Sequence, residues 1–169
     1  SEMCIRDSDL ASLPEELQKN FRKCLNRVHK MIHEENYDDA FLIYDTLCKT
    51  AGSSPMLYYN HAGLCYQMKK FDDALKAYKK SLELAGADSS WRHEIYYNIG
   101  NVYYMLNQLD KACKYYEKAL DIFPDYQQAL ENLSFTFIRM GDTKRGIETY
   151  KKFNVNEGNA HAHFVWAML

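Results

Sequence analysis

The sequence predicts an all-α chain of repeated helix-turn-helix units, and three observations carry that prediction. Seven Gly and three Pro in 169 residues are about half of average usage, too few turn formers for a many-stranded β sandwich. Blocks of similar sequence recur: Tyr58-Tyr59-Asn60-His61-Ala62-Gly63 aligns with Tyr96-Tyr97-Asn98-Ile99-Gly100-Asn101. The same offset of 38 residues brings Phe71-Asp72-Asp73-Ala74 onto Leu109-Asp110-Lys111-Ala112 and Tyr78 onto Tyr116. Within a block, large side chains return at helical spacing, as at Tyr96, Ile99 and Tyr103, and so paint one apolar stripe on a helix.

Taken in order, Ser1 to Ser8 read as the translation of a transposon-end sequencing adapter, AGT GAG ATG TGT ATA AGA GAC AGT, and are set aside from fold reasoning. Residues 9–20 extend the first helix at its N-terminal side, where Ser12-Leu-Pro-Glu15 fits a capping box. Four units are expected, at 21–54, 55–88, 93–126 and 127–160. A spacing of 34 places Ala40 and Tyr44 in the first unit and Leu133-Ser134, Gly146 and Tyr150 in the fourth. Ser54-Pro55 and Pro124-Asp125 supply an N-cap with a nearby Pro, while Gly52, Gly86 and Gly158 fall where helices end and Gly141 between paired helices. The extra Ser89 to Arg92 amounts to about one turn, so the third unit's first helix is expected to start near Ser90 and to be lengthened. Small residues at Gly100, Ala112 and Ala119 let two antiparallel helices approach closely. The last stretch, 161–169, puts Phe164 and Ala167 where a fifth unit's first helix has its framework residues. Its partner helix is missing and Phe164 to Leu169 is apolar, so the chain is expected to be a fragment of a longer reading frame.

Composition excludes several function classes. Lys and Arg number 21 against 23 Asp and Glu, for a net charge of −2 and a pI of about 6.3, which argues against a nucleic-acid binder that coats phosphates. Apolar residues at 47% and aromatics at 14% are enough for a packed core. Mean hydropathy is −0.52, and no uncharged apolar run reaches the roughly 18 residues of a membrane helix. Cys4, Cys24, Cys48, Cys65 and Cys113 are odd in number, widely spaced and without a C-x-x-C pair. They read as free thiols of a reducing, cytoplasmic setting, neither disulfide framework nor zinc site.

The pattern resembles the tetratricopeptide repeat, a helix-turn-helix unit of 34 residues. The third unit fits it best, from Ile95-Tyr-Tyr-Asn-Ile-Gly-Asn-Val-Tyr-Tyr104 through Ala112, Tyr116 and Ala119 to Pro124. The resemblance covers Phe21 to Leu169 and implies an all-α solenoid, a right-handed α-α superhelix of four such units plus the first helix of a fifth. Departures are Arg27 and Val28 in the first unit, His61 in the second, and Gly146 and Phe153 where Ala is usual in the fourth; local packing is less sharply specified by the repeat there, but its register survives. The resemblance implies a protein-interaction module or scaffold that is not an enzyme. The alternative is a targeting or substrate-recruiting region of a larger enzyme truncated at Leu169.

No catalytic motif is visible: the sequence has no G-x-S-x-G, no Gly-rich phosphate loop and no H-E-x-x-H. No cofactor and no metal are expected. His29 and His33 share a helical face beside Glu34, but they read as surface histidines before they read as ligands. His161 and His163 fall on different faces. Lys76, Lys79 and Lys80, then Lys114 and Lys118, then Lys151 and Lys152, recur on the second helices; Glu83, Glu117 and Glu148 interrupt them, as on a solvated face.

The candidate site lies on the first helices. One position is Asn in all four units, Asn26, Asn60, Asn98 and Asn132. An Asn side chain offers an acceptor and a donor, and can pair with the backbone of an extended peptide. In the family the resemblance points to, this position faces a concave groove, and some members bind extended segments through such a ladder. The competing reading is that Asn caps or bridges neighbouring units. Tyr59 with Tyr97, and Tyr66 with Tyr104, form two further rows, and Asn101 and Phe135 stand three residues after an Asn. The Tyr rows either line the groove or pack between units, and Gly63 opens a pocket among them. A two-carboxylate clamp for acidic chaperone tails needs Lys, Asn, Asn, Lys and Arg. Starting from the first unit those positions hold Leu25, His29, Asn60, Glu94 and Asn98. An uncharged or aromatic-containing peptide therefore fits better than a chaperone's acidic C-terminal tail, with neither nucleic acid nor membrane as partner.

Overall fold

Eight helices run in sequence through the residues that a computed structural model of the chain describes, 14–50, 54–87, 89 and 91–153. They are α1 (Glu15–His33), α2 (Tyr37–Thr50), α3 (Pro55–Gln67), α4 (Phe71–Leu84), α5 (Arg92–Met105), α6 (Leu109–Ile122), α7 (Gln127–Arg139) and α8 (Thr143–Phe153). Paired in order, they make the four expected helix-turn-helix units, and the all-α class stands. Two compact halves divide between residues 90 and 91, α1 to α4 in one and α5 to α8 in the other. In each half every helix packs on the next. The adapter-like residues, the Ser12 cap, Gly52, Gly158, His161, His163 and the fifth unit's helix lie outside the described residues.

The turns inside the units share one backbone solution. Glu35, Lys69, Asn107 and Gly141 hold φ of 58°, 59°, 57° and 86°. The next amide in each turn reaches back to a carbonyl in the last helical turn: Asn36 to Met31 and Lys70 to Cys65 at 2.8 Å, Gln108 to Tyr103 and Asp142 to Phe137 at 2.9 Å. This satisfies carbonyls that the helix end would otherwise orphan. Gly141 and, less strongly, Asn107 advertise the left-handed residue in sequence; at the other two turns a side chain tolerates it.

Ser54 caps α3 as expected, its Oγ accepting from the Leu57 amide at 3.3 Å, with Pro55 in the first turn. The expected cap at Pro124-Asp125 is not formed. Tyr126 holds the N-cap position of α7 and gives no side-chain hydrogen bond to it, its ring being taken up by Tyr97 at 5.2 Å and His93 at 4.9 Å. The third unit's first helix is not lengthened by a turn. It starts at Arg92 and has 14 residues against 13 in α3, so most of the extra segment belongs to the connection before it.

The N-terminal half packs Phe21, Leu25 and Val28 of α1 against Ala40, Tyr44, Leu47 and Cys48 of α2, with Leu57 and Leu64 of α3 closing the cluster. In the C-terminal half Ile95, Ile99 and Val102 of α5 meet Ala112, Tyr116 and Ala119 of α6, all essentially inaccessible. Gly100 explains how closely these two helices approach: a Cβ there would lie 2.6 Å from Cε1 of Tyr116. Gly146 does the same for α7 and α8. A Cβ on it would stand 2.6 Å from Ile138 and 3.1 Å from the Ser134 carbonyl, and Ser134 Oγ donates to the Gly146 carbonyl at 2.7 Å. The absence of Ala at Gly146 therefore permits the close approach of α7 and α8.

Candidate functional site

The first helices carry the candidate residues at the positions their spacing implies. In the C-terminal half, α5 and α7 lie at neighbouring places around α6, and three of the candidates meet in one hydrogen-bond network. Asn132 Nδ2 donates to Asn101 Oδ1 at 2.9 Å and to Tyr97 Oη at 3.2 Å. The same Asn101 oxygen accepts from the Tyr116 hydroxyl at 2.8 Å. Both donors of Asn132 and the acceptor of Asn101 are thus engaged. The Asn132 carbonyl oxygen and the Asn101 amide nitrogen carry no hydrogen bond among the described residues. An acceptor and a donor thus remain on two half-buried residues.

Aromatic side chains frame this network. Tyr97 packs at 5.9 Å from Tyr116 and 5.2 Å from Tyr126. Tyr104 lies under the Arg139 guanidinium at 4.8 Å, while Arg139 Nη2 donates to Asn107 Oδ1 at 2.9 Å. Arg139 and Tyr126 were not singled out in the sequence, because the contacts that recruit them cross from one helix to the next. Asn98 and Phe135 are half-buried on α5 and α7.

In the N-terminal half Asn26 is exposed on α1 and Asn60, Tyr59 and Tyr66 are half-buried on α3. The Tyr59 ring meets Tyr78 of α4 edge-on at 5.6 Å and 69°, and Tyr66 meets Phe71 at 5.9 Å. Gly63 stands between the two tyrosines on the same face. A Cβ on Gly63 would touch only the Tyr78 hydroxyl, at an ordinary 3.9 Å. Gly63→Ala is therefore expected to raise stability by about 0.5–1 kcal/mol, the cost of a helical Gly relative to Ala; a lower denaturant midpoint for the variant would refute it.

His61, the departure of the second unit, is 8% exposed. Its ring stacks on Tyr44 at 5.9 Å and lies 5.1 Å from Phe41. Nδ1 is 3.7 Å from Cys48 Sγ, and Nε2 is sealed with no hydrogen bond. Burial pushes its pKa below the ordinary 6.5, against Asp45 and Asp73, which raise it, and with Lys70, which lowers it. The unfolded chain thus binds a proton that the folded one resists, and stability falls as pH drops through 6.5 toward the lower folded value. The melting temperature is expected to decline between pH 7.5 and 5, with that decline reduced in His61→Leu. Equal acid sensitivity in the two proteins would contradict this.

Three of the described thiols, Cys48, Cys65 and Cys113, are inert by environment. Burial pushes Cys48 up to about 12 and Cys65 and Cys113 to about 11, and Cys113 Sγ sits 3.8 Å from the Met140 sulfur. His29 is half-buried and His33 exposed on α1. Lys76 pairs with Asp73 at 3.5 Å and Lys80 with Glu83 at 2.9 Å, and Lys79, Lys114 and Lys151 are exposed. A separate cleft of about 500 Å³ has Leu120, Leu130, Leu133 and Phe137 in its walls and the Arg145–Glu117 pair, at 3.6 Å, on its rim. It shares no residue with the candidate set. No helix among the described residues is long and apolar enough to cross a membrane.

Residues 53–125 match the tetratricopeptide repeat family. No curated protein matches the chain in sequence. Among solved structures, a MamA protein superposes with a TM-score of 0.70 at 19% identity, over 82% of this chain and 74% of that one. MamA residues 41 to the end from Desulfovibrio magneticus RS-1 gives 0.68 at 23% identity, over 77% and 71%. BtubC (BKLC) from P. vanneervenii gives 0.64 at 22%, over 78% and 63%. These likenesses establish the fold. Tetratricopeptide repeats bind protein partners.

Proposed function

We propose that this chain, built of tetratricopeptide repeats, is a non-catalytic interaction module that holds a partner protein by an extended, uncharged or aromatic-containing segment. Within each half such a segment lies along the first helices of that half's units. In the C-terminal half Asn98 and Asn132 meet its backbone with Asn101 beside them, and Tyr97, Tyr104 and Phe135 meet its side chains. In the N-terminal half Asn26, Asn60, Tyr59 and Tyr66 do the same. Free thiols at Cys24, Cys48, Cys65 and Cys113 are in keeping with a reducing, cytoplasmic setting.

The observation that carries this reading is the acceptor on Asn132 and the donor on Asn101 that remain after an internal network has engaged the rest of both amides. A peptide unit presents the complementary pair, an N–H and a C=O. Side chains immobilised before binding also spare the entropy of ordering them. The test uses a peptide selected on the wild-type chain from a random phage-displayed library. Asn98→Ala combined with Asn132→Ala is expected to weaken it by about 5- to 100-fold, for about 1–3 kcal/mol of lost hydrogen bonding. Circular dichroism checks that the helices persist. Unchanged affinity would refute the ladder.

A further inference from the structure

The second and third units differ at one position on this face, and the difference leaves a hydroxyl without an acceptor. Gly63 corresponds to Asn101, Tyr78 to Tyr116 and Tyr59 to Tyr97, each 38 residues apart. In the third unit Tyr116 donates to Asn101 Oδ1 at 2.8 Å. In the second, Gly63 supplies no oxygen, and the Tyr78 hydroxyl makes no hydrogen bond among the described residues. Tyr78 is 3% exposed and its ring is fixed against Tyr59. The hydroxyl oxygen is nevertheless not among the sealed unpartnered atoms, so a group from outside can reach it. Tyr59, Gly63 and Tyr66 fall at i, i+4 and i+7, on one face of α3. A Cβ in the space above Gly63 would meet only the Tyr78 hydroxyl within 4 Å, with Tyr59 and Tyr66 on the same face of the helix.

We propose that this space is a specificity pocket for a side-chain carboxamide, an Asn or Gln of the bound segment, whose oxygen takes the place that Asn101 Oδ1 holds in the third unit. The proposal rests on the peptide-binding reading above and adds a residue preference to it. Two features select a carboxamide over a carboxylate. Burial and the neighbouring Tyr59, Tyr66 and Cys65 push the Tyr78 pKa up, so the group is a neutral donor at any ordinary pH. No cation is among the groups that bear on it, so a carboxylate would enter as an uncompensated charge. An apolar side chain would fill the space but leave the hydroxyl unsatisfied, which is the costlier half of a hydrogen bond.

The experiment selects a random phage-displayed 12-mer library on the full chain and on Gly63→Asn, which supplies the missing amide from within. Peptides from the wild type are expected to carry Asn or Gln at one fixed position. Replacing that residue by Ala in the synthetic peptide should weaken binding about tenfold. Peptides selected on Gly63→Asn should lose the preference. Tyr78→Phe removes the donor and keeps the ring; on it the Asn or Gln peptide and its Ala version should bind equally, which serves even where Gly63→Asn folds poorly. Selected peptides that need Asn60, or Asn98 and Asn132, but show no carboxamide preference would overturn the pocket and leave the ladder standing. Peptides indifferent to Asn60, Asn98 and Asn132 alike, or no peptides at all, would overturn both.

Discussion

Replacing Tyr116 by Ala is expected to cost about 3–5 kcal/mol, the range for truncating a large buried aromatic. The side chain is 1% exposed, its ring covers Gly100, and Tyr97 packs 5.9 Å away. Its hydroxyl meets Asn101 Oδ1 at 2.8 Å. Against a total stability of about 5–15 kcal/mol for a typical domain, this loss is large enough to populate the unfolded C-terminal half in mild denaturant. Tyr116→Phe keeps the ring and should cost only the net hydrogen bond, about 0.5–1.5 kcal/mol. Urea unfolding of the three proteins gives the comparison. Similar losses for Ala and Phe would show that the ring's packing is not what holds α5 to α6.

The second large effect sits on the other side of the same contact. Gly100→Ala should destabilise by about 1–3 kcal/mol, the usual cost of overpacking, even though Ala is the better helix former by about 0.5–1 kcal/mol. The added methyl would lie 2.6 Å and 2.7 Å from two ring carbons of Tyr116. That ring is pinned by its hydroxyl and cannot swing aside cheaply. Gly63→Ala, with open space above it, carries the opposite sign. The sharpest check is a double-mutant cycle: in a Tyr116→Ala background Gly100→Ala should turn from harmful to helpful. If it stays as harmful as in the wild type, the clash with Tyr116 is not the cause.

Much of this was legible before any coordinates, because the repeat is a matter of spacing. Tyr58 against Tyr96 and Phe71-Asp72-Asp73-Ala74 against its counterpart set the helix pairs, and Ser54-Pro55 set one boundary. Three things were not legible. Glu35 and Lys69 take a left-handed backbone that neither residue announces, since the turn is dictated by the two helices it joins. The insertion before α5 read as an extra helical turn, because Ser89 to Arg92 has the right length, yet length alone does not tell helix from connection. The close packing at Gly146 could not be read from its own helix, because its neighbours Ser134 and Ile138 come from the paired one.

The candidate face divides in the same way. Four Asn in register could be read from one helix at a time. Their hydrogen bonds could not, since Asn132, Asn101 and Tyr116 belong to three helices. The sequence could show that Gly63 stands where Asn101 stands in the next unit. Only the geometry reveals that a tyrosine hydroxyl waits beside it.

The buried thiols give each half of the chain its own clock. Cys48 and Cys65 lie in the N-terminal half and Cys113 in the C-terminal half, each 5% exposed or less, and a thiol kept protonated and covered reacts with an alkylating reagent only while its surroundings are open. The rates at which the three become labelled therefore report the opening of the two halves separately, in one sample and without any added probe. Matching rates would mean that the two halves open at equal free-energy cost. Different rates would give the free energy by which one half outlasts the other.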